Sequence, residues 1–186
     1  MPQLKFGTQA EWSDWLSRHH ASSPGIWVQI AKQGSGVTSL TYAEAVESAL
    51  CYGWIDGQKQ KMNETFWLQK FTPRKADSVW SLVNRQKALG LIERSLMQPA
   101  GHEAIQRAQA NGRWESAYEG QSNATVPPDL AAALRESPKA AEFFAKLNRV
   151  NRYAILFRLQ TAKKIETRIA RLNKFVSMLE RGETLH

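Results

Sequence analysis

The chain predicts an α+β fold that is mostly helical, with a small antiparallel β-sheet or hairpin in its N-terminal part and a helical C-terminal region. Three observations carry this. β-prone runs are confined to residues 26–30, 54–60 and 65–71. Thr8 with Glu11, and Thr41 with Glu44, have the spacing in which a threonine caps a helix and an acid three residues on reaches back to it. Past Pro73, apolar residues recur at helical intervals to the end of the sequence.

Taken in order, Trp12, Trp15 and Leu16 share one face after Thr8 and predict a first helix to about residue 20, stopped by Pro24-Gly25. Residues 26–30 read as a strand running into the flexible turn Gly34-Ser35-Gly36. Ala45, Val46, Ala49 and Leu50 give the second helix an apolar face, and Gly53 ends it. Two strands follow around Met62-Asn63-Glu64. Trp80, Leu82, Val83, Leu89, Leu91 and Ile92 mark one helix, and Ala104, Ile105 and Ala108 the next, with Gly112 as its stop. Four more helices are expected at 129–136, 138–147, 151–162 and 166–181.

The 186 residues suffice for a buried core, and 42% hydrophobic with 23% charged residues is ordinary globular usage. Charge is uneven along the chain: residues 1–120 carry 13 Lys and Arg against 11 Asp and Glu, while residues 121–186 carry 12 against 6. All seven tryptophans fall at or before Trp114. These shifts predict an aromatic-rich α+β domain over 1–120, a Gly-, Ser- and Pro-containing linker over 121–128, and a basic helical region over 129–186. No apolar run is long enough to span a bilayer, and the opening residues lack a basic segment followed by an apolar stretch. With a single cysteine, no internal disulfide forms, so a cytoplasmic location is expected.

The density of aromatics, one acid, two bases and glycines from Cys51 to Trp80 marks the candidate site. Asp56, between Trp54 and Gly57, reads either as an ordinary Asp-Gly turn or as a binding carboxylate paired with Arg74. Thr72-Pro73-Arg74-Lys75 precedes a helix for which Asp77 or Ser78 supplies the cap, so backbone N–H groups and two cations would converge on an anion. The planar fork of Arg74 suits a carboxylate or phosphate better than the point charge of Lys75. Tyr52, Trp54, Trp67, Phe71 and Trp80 supply aromatic surface, most of it core and a minority facing ligand. The ligand-binding set is therefore Tyr52, Trp54, Asp56, Thr72, Arg74, Lys75, Ser78 and Trp80. Cys51 has no histidine near it in sequence and reads as a buried structural thiol. The histidines lack metal-ligand spacing, so neither a metal nor a cofactor is assigned. In the last helix Lys164, Arg168, Arg171 and Lys174 fall along one side, expected opposite the apolar face of Ile165, Ile169, Leu172, Val176 and Leu179. That stripe reads as a solvated face or as a site for nucleic acid or anionic membrane.

At Leu40-Thr41-Tyr42-Ala43-Glu44-Ala45, Cys51-Tyr52-Gly53-Trp54-Ile55-Asp56-Gly57, Phe71-Thr72-Pro73-Arg74-Lys75, Pro99-Ala100-Gly101 and Asn111-Gly112-Arg113-Trp114, the chain resembles the bacterial YdeI/OmpD-associated, or bacteriocin-protection, family nearly end to end. Pro127-Pro128-Asp129-Leu130, Phe143-Phe144 and Asn151-Arg152-Tyr153 carry the resemblance into the C-terminal region. It implies a link to envelope stress or protection from bacteriocins and transfers no catalytic residues. One position departs from the family pattern, which has Asp where Asn111 stands.

Three functions are compatible with these residues. A binding module would hold a small anionic ligand with Trp54, Asp56 and Arg74; a protein partner is a further expectation. An enzyme would use Asp56 as general base and Arg74 as electrostatic stabiliser. A polyanion binder would use Lys164, Arg168, Arg171 and Lys174.

Overall fold

The computed structural model describes residues 1–186 and divides into two units, residues 1–78 with 84–115 and residues 79–83 with 116–186. The first unit begins with a β–α–β crossover of β1 (Gln3–Lys5), α1 (Gln9–His19) and β2 (Ile26–Ala31). A helical crossover of this length lets two strands pair parallel, and Leu4 lies opposite Val28 in that sense. β3 (Trp54–Lys61) and β4 (Phe66–Pro73) form an antiparallel hairpin, and β4 also pairs antiparallel with β2, giving the order β1-β2-β4-β3. The sheet is thus mixed, where sequence predicted an antiparallel one. The difference is β1, whose three residues are too few to display a period.

Local chemistry explains each turn. Thr8 accepts from the Glu11 N–H at 3.2 Å and starts α1, while Thr41 and Glu44 complete a reciprocal capping box on α2 (Tyr42–Cys51). In the hairpin, Asn63 Oδ1 accepts from the N–H groups of Thr65 and Phe66, so one amide side chain closes the turn. The Asp56-Gly57 pair lies within β3, and the register slips between Asp56 and Lys59 as a β-bulge. Buried Gln69 donates its amide to the carbonyls of Gly57 and Gln58, satisfying groups that the bulge removes from the ladder.

Ile26, Val28 and Ile30 alternate inward along β2. Above them α1 supplies Trp12, fully buried, whose ring lies 5.6 Å from that of Phe71 and whose indole N–H is donated to the Ala45 carbonyl. Trp15 and Trp54 complete this aromatic core in edge-on contact at 5.8 Å.

α2 ends against the start of α4 (Pro99–Ala110). Gly53 turns the chain with φ +70°, and a Cβ there would stand 2.6 Å from the Ala100 carbonyl oxygen. At Gly101 a Cβ would meet the Cys51 carbonyl oxygen at 2.3 Å. The Gln98 N–H, at the uncapped start of α4, is instead donated to that same Cys51 carbonyl. A C-terminal carbonyl of α2 therefore accepts from the N–H at the start of α4. The Pro99-Ala100-Gly101 motif takes its meaning from this junction.

The expected helix around Trp80 begins only at Leu82, as α3 (Leu82–Glu93). Trp80 and Ser81 instead lie in the second unit, where Tyr118 donates its N–H to the Trp80 carbonyl and Leu82 donates to the Tyr118 carbonyl. The rest of that unit is α5 (Pro128–Glu136), α6 (Pro138–Lys146), α7 (Arg149–Gln160) and α8 (Ile165–Glu180). Ser137 and Asn148 cap α6 and α7 with their side chains. The four helices enclose a core of Leu130, Phe144, Ile155, Leu159, Phe175 and Leu179 with their neighbours.

The basic stripe on α8 does not lie opposite the apolar face. Ile165 and Ile169 are 63% and 51% exposed, while Arg168 and Arg171 turn inward and are half-buried. The cause is the end of α7, whose last carbonyls have no helical partners. Arg168 donates to the Leu159 carbonyl at 2.7 Å and Arg171 to the Arg158 carbonyl at 2.6 Å, placing two cations at the negative end of that helix. Arg168 also grips both carboxylate oxygens of Asp129, at 2.6 and 2.9 Å.

Candidate functional site

β4 stops at Pro73, which cannot extend the ladder, and the Arg74 N–H is then donated to the Gly53 carbonyl at 2.9 Å. That bond ties the end of β4 to the turn after α2. Beyond it no helix starts before Leu82. The Lys75 N–H is donated to Ser78 Oγ at 3.0 Å and the Ser78 N–H returns to the Lys75 carbonyl, a closed turn in place of the expected helix cap. Asn111, at the end of α4, donates its amide to the Ala76 carbonyl and anchors this loop. A carboxylate there could not donate, which gives the Asn at this position a physical reason.

Arg74, itself 7% exposed, lines two cavities. The first, of about 610 Å³, is walled by Lys70, Thr72, Arg74, Lys75 and Ser78 together with the bulge residues Gly57 and Gln58. Its lining contains three cationic side chains and two hydroxyls and no carboxylate. The second, of about 470 Å³, is walled by His20, Tyr52, Trp54, Arg74, Glu103 and Arg107 and neighbouring backbone. Glu103 and Arg107 form an ion pair at 3.6 Å across one turn of α4, which offsets one of this cavity's two arginines.

The structure thus brings Thr72, Arg74, Lys75 and Ser78 to one cavity, and Tyr52, Trp54 and Arg74 to the other. Trp54 is 1% exposed and donates its indole N–H to the His20 carbonyl at 3.1 Å, so it serves mainly as core. Asp56 lines neither cavity; its Oδ2 accepts from the Tyr42 hydroxyl at 2.8 Å. Trp80 belongs to the second unit and is buried. Lys164, just before α8, and Lys174 within it are exposed, whereas Arg168 and Arg171 hold the contacts described above. No group of three or more His, Cys, Asp and Glu residues gathers as for a metal ion.

Titration behaviour follows burial. The Cys51 thiol is pushed up to about 11, chiefly by burial and then by the Glu47 carboxylate, with Arg94 opposing. It stays protonated at neutral pH, as a packing residue should. The Tyr52 phenol is raised by burial first and by Cys51 and Asp14 after it. Asp129 is held below the ordinary carboxylate range mainly by its hydrogen bonds from Arg168.

Sequence reasoning missed Lys70 and the α4 residues Glu103 and Arg107. Lys70 had a signal: two residues before Thr72 in a strand, it shares that residue's face. Glu103 and Arg107 had none, because the packing of α4 brings them to the cavity.

The family described as Domain of unknown function (DUF8412) matches residues 4–104, more than half of the chain. The family described as Bacteriocin-protection, YdeI or OmpD-Associated matches residues 123–182, so its model covers the C-terminal region and not the nearly full length that the sequence motifs suggested. No curated protein and no solved structure matches the chain. No helix is long and apolar enough to cross a membrane.

Proposed function

We propose, for a chain that belongs to the DUF8412 family and carries a bacteriocin-protection, YdeI or OmpD-associated region, that its N-terminal unit is a binding module for a small anionic ligand. One observation carries the reading: Lys70, Arg74 and Lys75 converge on a cavity of about 610 Å³ whose lining includes the hydroxyl residues Thr72 and Ser78 and no acid. Such a wall stabilises a phosphate or carboxylate by charge and orients it by hydrogen bonds. Binding is better supported than catalysis, since Asp56 lies on neither cavity beside Arg74 and already accepts from Tyr42. The description of the family matched at 123–182 supports bacteriocin protection as the physiological setting.

Calorimetric titration at low ionic strength with phosphate, pyrophosphate, citrate and acetate tests this. A multiply charged anion should bind, and Lys75→Ala and Lys70→Ala should each weaken it about three- to tenfold while leaving the melting temperature unchanged, as for removal of one charged contact that solvent partly screens. Absence of binding by all four anions, or binding indifferent to both lysines, would remove the reading.

A further inference from the structure

The sheet has two faces, and only one is packed by α1 and α2. Ile26, Val28 and Ile30 point into that core, so Trp27 and Gln29 point away from it. Strand register carries the same sidedness across the sheet: Lys70 lies opposite Trp27, Leu68 and Lys5 opposite Gln29, and Phe66 opposite Ala31. On this outward face Lys70 Nζ sits 5.8 Å from the centre of the Trp27 ring, and Lys5 Nζ sits 4.9 Å from that of Phe66. Trp27, Phe66 and Lys70 each keep part of their surface in solvent, and Lys5 is more open still. Asp56 is the sole acid in the four strands, and it lies opposite Phe71, on the packed face. The outward face thus carries two aromatic rings, each with a lysine ammonium over it and no negative charge between them.

We propose that this face binds single-stranded nucleic acid, with bases stacked on Trp27 and Phe66 and backbone phosphates held by Lys5 and Lys70. The four residues from Phe66 to Lys70, which pairs with Trp27, set the two rings roughly 14 Å apart along the strands. Four-stranded sheets bearing aromatics take two or three unstacked bases in this way, and the π-face of any base serves. A ligand recognised here repeats an aromatic group and an anion in alternation, as a polynucleotide does and a simple carboxylate does not. Lys70 and Thr72 are common to this face and to the cationic cavity, so the strand's next phosphate enters that cavity. In this last respect the proposal rests on the anion-binding reading above.

Fluorescence anisotropy with labelled 12-nucleotide poly-dT and poly-U, against a blunt duplex of the same length, tests it on the full chain. Both single strands should bind at least about tenfold more tightly than the duplex, whose bases are stacked away. The Trp27→Ala, Phe66→Ala double variant should weaken binding by about tenfold or more, and Trp27→Tyr with Phe66→Tyr should restore it, which separates stacking from loss of fold. Lys5→Gln with Lys70→Gln should lower the salt slope by roughly 0.7 for each phosphate that is no longer neutralised. Duplex binding as tight as single-strand binding, or single-strand binding unchanged in the alanine variant, overturns the proposal. If the 12-mers fail to bind while small anions still occupy the cavity, the sheet face falls and the anion-binding reading stands. If 12-mer binding depends on the aromatics but not on Lys75→Ala, the sheet face stands without the cavity.

Discussion

The two units use basic residues in opposite ways. The second unit carries 12 Lys and Arg against 7 Asp and Glu, yet two arginines at the centre of that excess, Arg168 and Arg171, are turned onto the carbonyls ending α7 and onto Asp129. The first unit is nearer balance, 13 bases to 10 acids, yet Lys70, Arg74 and Lys75 gather on one acid-free cavity wall. Net charge measures long-range attraction and solubility. It does not locate a site, because a cation that satisfies a helix terminus is already engaged. What locates a site is a local imbalance held in place by backbone hydrogen bonds, as the Gly53–Arg74 and Lys75–Ser78 bonds hold this one.

The contrast should break most severely where the first unit has no room. Gly101→Ala places a methyl 2.3 Å from both the Cys51 carbonyl oxygen and Met97 Sδ, and at least the backbone oxygen cannot move without displacing the turn that carries Gly53 and Arg74. We expect a loss of about 3 kcal/mol or more in urea unfolding, at the upper end for overpacking, together with loss of anion binding. Gly57→Ala is the matched control. Its added carbon would stand 3.8 Å from the nearest atoms, so stability should change by no more than about 1 kcal/mol, the usual cost scale for surface strand positions. Equal effects at the two glycines would show that the α2–α4 junction does not position the cavity.

Smaller, and confined to the second unit, is the effect expected of Arg168→Ala. It removes the charged donor to the Leu159 carbonyl, which keeps the Ala162 N–H at 3.3 Å, and leaves Asp129 without its ion-pair partner, at a cost of about 1–2 kcal/mol for charge-assisted bonds that are partly exposed. Arg168→Lys should recover less than half of this, because one ammonium cannot span both carboxylate oxygens and the carbonyl. Full recovery by lysine would mean that charge alone matters at this helix end.

Much of this was legible beforehand, and the failures have physical causes. The threonine caps, the hairpin strands, the stop at Gly53 and the helices after Pro127 follow from rules acting within a few residues. The basic stripe of α8 is expected to face outward because helical periodicity sees only apolar spacing; the opening turns of that helix are set by the carbonyls that end α7, a tertiary demand. Likewise Thr72, Arg74, Lys75 and Ser78 could be chosen from one short stretch. Glu103 and Arg107 reach the neighbouring cavity only because Gly101 lets α4 approach α2.

If the comparison of the two units is right, the exposed remnant of the C-terminal stripe contributes little to polyanion binding. Lys164 and Lys174 are its open members. Replacing both with glutamate should weaken binding of single-stranded oligonucleotide by less than about threefold at moderate salt, where exposed charges are screened, against the larger loss expected for Lys5→Gln with Lys70→Gln. A greater loss from the helix variant would return the polyanion site to the second unit.

The smallest effect is on the acid side of the stability profile. Asp129 is depressed from its ordinary value of 3.8, first by the Arg168 hydrogen bonds and against the opposing effect of burial. A carboxyl whose folded pKa lies below its unfolded one binds fewer protons when folded, so its contribution is complete above 3.8 and is lost as pH falls through the lowered folded value. The urea midpoints of wild type and Asp129→Asn should therefore differ by a constant amount from neutral pH down to about 3.8, and should draw together as pH falls from there through the lowered folded value. Arg168 keeps its charge throughout, so its bond to the Leu159 carbonyl should persist and the two curves should meet above the curve of Arg168→Ala. A gap between wild type and Asp129→Asn that stays constant to the lowest pH at which both fold would show that packing around Asp129, rather than its charge, stabilises the second unit.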